Sequence, residues 1–215
     1  MARQKGFSQR AKAPAKAARS ATKPLPRDGE EPLPAALQAV VNQHLAGDLE
    51  AAEAGYHTWI ETQGDHSVAW CNLGAISLRR QHFAEALAHL ERSLALNPTY
   101  AVSLFNRGNA LRLCGEPAQA EQVYRQLLQH HPSHVQGAIN MALCCYLQGK
   151  KAEAVAVYQP LLQRLLAEGE AARQPAQLAS IASSLGVALA DLGQSEPAIA
   201  AHHQAVALNP TAAEV

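Results

Sequence analysis

Residues 67–100 read SVAWCNLGAISLRRQHFAEALAHLERSLALNPTY, and residues 101–134 read AVSLFNRGNALRLCGEPAQAEQVYRQLLQHHPSH. Laid one under the other, the two 34-residue stretches agree position by position. Asn stands sixth, Gly eighth and Ala twentieth, a large residue stands at 24 (Leu90, Tyr124), and Asn-Pro or His-Pro closes each stretch at Pro98 and Pro132. A period between about 20 and 50 residues decides an architecture by itself, because one short unit cannot bury its own apolar face and must stack on a copy. Outward from this pair, further units start at Val135 and Ala179, with a weaker one at Leu33. Position 20 is Ala in all of them (Ala52, Ala86, Ala120, Ala154, Ala198), and position 24 is Tyr56, Leu90, Tyr124, Tyr158 or His202. Position 15 is Gly47, Gly115, Gly149 and Gly193, a residue that tolerates left-handed backbone and so stops one helix before a short turn into the next. Each unit is a helical hairpin, with small positions 8 and 20 letting its two helices approach closely.

This set of recurring positions resembles the tetratricopeptide repeat family. The resemblance implies an all-α, right-handed superhelical solenoid of about five hairpins, covering 33–66 (degenerate, with Ala36 and Gly64 off the pattern), 67–100, 101–134, 135–168 and 179–212. Residues 169–178 read as an insert, and 213–215 as the start of a sixth unit. Pro160 falls inside a second helix whose apolar stripe is extended by Leu161, Leu162, Leu165 and Leu166, so that helix is expected to be long and bent.

Composition agrees with helices and narrows the class. About a fifth of the chain is Ala and only 5% is aromatic, which favours close-packed helices over strands. No apolar run reaches the ~18 residues of a membrane span, and a cytoplasmic chain is expected. Four cysteines without C-x-x-C spacing (Cys71, Cys114, Cys144, Cys145) read as reduced, helix-buried small residues. Charge is uneven: residues 1–27 hold eight Lys/Arg and no acid, while the remainder has ten basic and eighteen acidic residues. The arm, residues 1–32, is expected to be a disordered, solvated tail. A phosphate or anionic-membrane contact and a targeting peptide are its alternatives; a nucleic-acid partner is not favoured, because Phe7 alone is available to stack on bases.

Catalytic motifs are missing: there is no Gly-rich phosphate loop, no G-x-S-x-G and no H-E-x-x-H. His130, His131 and His134 are spaced for a weak metal site but bring no thiol or carboxylate, and they read as helix-end imidazoles favoured by the dipole. His202 is expected to pack at position 24 and His203 to face solvent. Every acid reads as a single residue on an exposed face or turn. No cofactor, metal or catalytic residue is expected in this chain.

Binding is the remaining reading. At about 100° per residue, positions 2, 6, 9 and 13 of each first helix form one stripe, away from the helix-pairing face, and this stripe is expected to be open to a ligand. Position 6 is Asn72, Asn106 and Asn140 in three successive units, with Gln38 and Ser184 departing from the pattern. An amide carries a donor and an acceptor, as a peptide bond does, so such a ladder can pair with the backbone of an extended peptide. It is similar to the asparagine ladder of the O-linked N-acetylglucosamine transferase repeats. Flanking candidates are Phe105, Asn109, Arg112 and Leu113 in the third unit, and Ile139, Leu143, Tyr146 and Leu147 in the fourth. Arg79 and Arg112 are able to meet carboxylates, although the groove lacks the dense Lys/Arg set of a chaperone-tail clamp. The expected role is a non-catalytic scaffold that holds a protein or extended peptide in the concave face. The alternative is the substrate-recruiting, amino-terminal part of a longer protein-modifying transferase of the glycosyltransferase or sulfotransferase type, as in bacterial proteins with similar repeats. Ile199, Val206 and Leu208 on the last hairpin suggest self-association or a continuing chain.

Overall fold

The computed structural model describes residues 32–210; the basic arm and the start of a sixth unit lie outside the described residues. Ten α-helices follow one another as antiparallel pairs: α1 (Ala35–Ala46) with α2 (Leu49–Gln63), α3 (Ser67–Arg79) with α4 (Phe83–Leu96), α5 (Ala101–Leu113) with α6 (Pro117–His130), α7 (Val135–Leu147) with α8 (Lys151–Ala167), and α9 (Pro175–Asp191) with α10 (Ser195–Leu208). Among the described residues there is no strand. Each helix packs on its hairpin partner, and each second helix packs on the first helix of the next pair, which winds the hairpins into a right-handed superhelix.

The small positions do what the repeat demands. All five alanines at position 20 are buried, and Tyr56, Leu90, Tyr124 and Tyr158 fill position 24 in the core. A Cβ added at Gly108 would come within 2.5 Å of the Tyr124 ring, so the aromatic of the second helix occupies the space that the glycine of the first vacates. Unit one inverts the arrangement: position 8 is Val40, and Gly55 on α2 yields to it, its own added Cβ falling 2.9 Å from the valine methyls. His202 lies over Gly186 in the same way but stays exposed, so the expected packed imidazole is covered on one side only.

Gly47, Gly115, Gly149 and Gly193 take positive φ in the turns, as read from the sequence. In unit two the same position is Gln81 at φ 64°, the one non-glycine residue with positive φ among the described residues. In the fourth unit the second helix is lengthened: α8 runs 17 residues with Pro160 inside it, and this exposed proline has no amide hydrogen to give the Ala156 carbonyl. The insert closes in a 3-10 turn, Glu170–Ala172, and Pro175 opens α9 four residues before Ala179.

Caps account for the suspected metal histidines. His134 Nδ1 accepts from the Gly137 amide at 3.0 Å and starts α7, and its ring stacks 5.1 Å from Phe105. His131 Nε2 pairs with the Thr99 carbonyl at 2.7 Å, tying the end of α6 to the preceding turn, and His130 sits in the last turn of α6.

Candidate peptide-binding face

Consecutive first helices bring the predicted stripe together, but they bury its centre. Asn72, Asn106 and Asn140 are 6–8% exposed, because position 6 lies under the seam where one first helix packs on the next. The expected open ladder is therefore corrected. At the seam of units three and four, Asn140 Nδ2 donates to Asn109 Oδ1 at 2.8 Å and to the Tyr124 hydroxyl at 3.3 Å. Tyr124 donates in turn to Asn109 Oδ1 at 2.8 Å, so that oxygen receives two donors. Burial drives the Tyr124 phenol pKa upward, opposed by the Asn140 hydrogen bond and the nearby Arg112 charge. At the seam of units one and two, position 9 is Val41, which offers no oxygen. Asn72 lies beside the Tyr56 phenol and opposes its upward shift, yet its buried Nδ2 is not within good hydrogen-bonding geometry of any acceptor among the described residues. Burial likewise raises Tyr56, whose hydroxyl sits 3.3 Å from His44 Nδ1.

The flanking candidates divide. Phe105 is core, 2% exposed between Tyr124 and His134, and not groove lining. Ile139 packs half-buried against the core of the last two units, and Leu143 is half-buried. Tyr146 donates to Asp191 Oδ2 at 2.8 Å, a carboxylate also held by Lys151 at 3.2 Å, so it bridges α7 to α9. Arg79 is exposed. Arg112 is half-buried, and its Nε is shut from solvent without a hydrogen-bond partner. Leu113 and Leu147 are about half exposed, at 48% and 56%, and Leu45 at the same repeat position is 51% exposed.

Two participants escaped sequence reasoning. Gln177 Nε2 donates to Gln136 Oε1 at 3.4 Å, and Gln136 Nε2 donates to Asn140 Oδ1 at 3.2 Å, so a directional chain of amides runs from α9 through α7 to Asn109 on α5. Gln136 and Gln177 also line a 450 Å³ cavity with Val135, Leu165 and Glu170. Gln136 holds position 2 of the named stripe and was legible there, whereas Gln177 lies in the insert, where the repeat gives no register.

The second missed residue type is a buried acid. Glu121, 5% exposed, receives Lys150 Nζ at 2.8 Å, Gln148 Nε2 at 2.8 Å and Arg125 Nε at 2.8 Å, so it is not the single exposed carboxylate the sequence suggested. Desolvation raises its pKa, and the three donors outweigh that and hold it at about 2. Glu121, Cys145 and Glu153 place three ligand atoms within 4.8 Å, but the Glu121 oxygens already carry the hydrogen bonds just named. Burial pushes the Cys71 thiol up to about 12 and the Cys144 thiol to about 11, away from the range of a reactive thiolate. Cys114, in contrast to the expectation, is exposed beyond the end of α5.

A solenoid of stacked helical hairpins with an amide-rich first-helix face is a tetratricopeptide repeat protein. The chain belongs to the family of the cytochrome c-type biogenesis protein H TPR domain, whose sequence profile covers residues 33–172. Over 80 residues it is 31% identical to Protein O-mannosyl-transferase Tmtc3 of Drosophila melanogaster, a stretch that is 37% of this chain and 9% of that protein. Among solved structures, MamA superposes with a TM-score of 0.69 at 15% identity, over 82% of this chain and 97% of MamA. YrrB, described as a TPR protein with an unusual peptide-binding site, superposes at 0.69 and 16% identity, over 81% of this chain and 85% of YrrB. At these identities the structural likeness establishes the fold alone. Among the described residues no helix is long and apolar enough to cross a membrane.

Proposed function

We propose that this chain is a non-catalytic scaffold that holds an extended peptide or protein segment along the face of its first helices. The observation that carries the reading is the recurrence of an exposed leucine at one repeat position, Leu45, Leu113 and Leu147, on the stripe that also holds the half-buried amides Asn109 and Gln136. Apolar side chains of a bound segment would seat on the leucines, and its backbone would pair with amide groups that the internal network leaves over. In this reading the partner is protein rather than nucleic acid, and the repeats act in the cytoplasm; subcellular fractionation of the source cells checks the location.

The test is selection of extended peptides from a random display library on the wild-type chain, followed by anisotropy titration. Leu113→Glu combined with Leu147→Glu should weaken selected peptides at least about tenfold at unchanged melting temperature, while Leu96→Glu on α4 leaves affinity intact. Equal affinity of the double variant removes the proposal.

The similarity to an O-mannosyl-transferase favours a second reading, in which these repeats present a polypeptide acceptor to a transferase domain elsewhere in a longer protein. An antibody to residues 67–134 that detects a native product far above 22.9 kDa would support it.

A further inference from the structure

Histidine rings gather where unit one meets unit two. His44 on α1 has its Nδ1 3.3 Å from the Tyr56 hydroxyl, with the ring edge-on to the phenol at 6.0 Å. Across the seam, the exposed His57 on α2 faces His89 on α4 with 6.5 Å between ring centres. Trp59 on α2 lies 6.4 Å from His66, which caps α3 by accepting from the Val68 amide at 3.2 Å. His89 is half-buried and lies 5.5 Å from Trp70, a ring that already carries the Arg92 guanidinium at 4.8 Å. The Ser77 hydroxyl spends its hydrogen on the Leu73 carbonyl at 3.1 Å, so it accepts from His89 Nδ1 at 3.4 Å, and a second proton has to enter at Nε2.

The surroundings of these imidazoles oppose a proton. Burial lowers the His89 pKa; Glu85, one turn earlier on α4, and the Leu73 backbone work against that, while His57 and Arg92 add to it. Burial lowers the His44 pKa as well, and the Arg79 charge from α3 adds to it. Both rings are therefore neutral in the fold, and the stability they contribute is fully present above the ordinary 6.5 and is lost as the pH falls below it. Glu53 and Arg80 also pair across this seam at 2.7 Å, so opening it must overcome that bridge, but the Asn72 amide nitrogen buried there already weakens the join. Between units three and four the charged anchor is Glu121, held at about 2 by its donors and insensitive to mild acid.

We propose that the seam between units one and two is an acid-sensitive latch: from about pH 7.5 to 5.5 the first hairpin comes away from α3 and α4 while units two to five stay stacked. The proposal stands apart from the groove reading, since it concerns which hairpins remain stacked, whatever they hold. What the latch uncovers is apolar, because Val68, Leu73 and Ile76 of α3 share one buried cluster with Leu37, Val41 and Tyr56 of the first hairpin.

The test is amide hydrogen exchange of the full chain, read by mass spectrometry at both pH values and corrected for intrinsic rates. Residues 35–63 should lose protection about tenfold in acid, the equivalent of one unit of pKa, while residues 101–167 keep theirs. Trp59 and Trp70 are the two tryptophans of the chain and both lie at this seam, so the emission maximum should move to longer wavelength over the same range. His44→Gln combined with His89→Gln removes the titration, and protection of residues 35–63 should then be equal at both pH values. If that pair fails to fold, His57→Gln at an exposed position replaces it and should shrink the acid loss. Equal loss in all five units, an unmoved emission maximum, or a loss that the folded variant retains in full would overturn the latch; loss in units three and four alone would do the same and assign the acid response to His131 and His134, which pair with Thr99 and Gly137.

Discussion

Two seams of this solenoid use the same residue for opposite ends. Between units three and four, Asn140 is saturated by Asn109 and Tyr124; between units one and two, Asn72 occupies the equivalent place and its amide nitrogen is orphaned. What differs is position 9, Asn109 in one unit and Val41 in the other. A buried donor without an acceptor costs of order 1–3 kcal/mol, while one inside a closed network stabilises. One asparagine is thus part of the structure, and the other is a cost that the rest of the seam carries.

The largest expected effect follows directly. Asn140→Leu should destabilise the chain by about 3 kcal/mol, because it leaves a buried network short of a donor. Asn72→Leu should be neutral within about 0.5 kcal/mol or stabilising, since it removes an unpaired group. Urea melts of both variants check the pair, and equal losses would erase the distinction between the seams.

The acids at position 21 sharpen the comparison. Glu53 meets Arg80 at 2.7 Å with both side chains partly exposed, whereas Glu121 is buried among Lys150, Arg125 and Gln148. Because the folded Glu121 carboxyl titrates at about 2 against an ordinary 4.5, its contribution is fully present above pH 4.5 and is lost as the pH falls toward 2. With Lys150 and Arg125 41% and 51% exposed and screened accordingly, about 1–2 kcal/mol should disappear in that window. Glu121→Gln should show no such loss, and an unchanged acid profile in that variant would mean that other carboxylates govern acid unfolding.

The smallest effect concerns the turns. Gln81→Gly should raise stability by about 0.5–1 kcal/mol, since the left-handed conformation is strained for glutamine and free for glycine. A thermal melt decides it, and a fall in melting temperature would show that the Gln81 side chain holds the turn between α3 and α4.

The hairpins were legible because the period is redundant. Ser67, Ala101 and Val135 open their helices at the predicted residues, and positions 20 and 24 recur often enough to mark the core. Where the repeat is interrupted the register failed, so α9 begins at Pro175 and Gln177 was not seen. Phe105 was misread because a single helical wheel cannot show that the following hairpin covers that face, and His202 because it is covered at Gly186 and stays exposed on its other side.

Periodicity, small positions and turn glycines are local properties of a chain that must stack copies of one unit, and they determined from the sequence alone that this protein is a helical-hairpin solenoid with a continuous first-helix face. Which groups on that face remain free depends on partners 15 to 41 residues away, as with Tyr124 for Asn109 and Gln177 for Gln136. Hydrogen-bond saturation is set by proximity across a seam, so only the tertiary structure decided that Asn140 is committed to Asn109 and Tyr124 while the Asn72 amide nitrogen is left over.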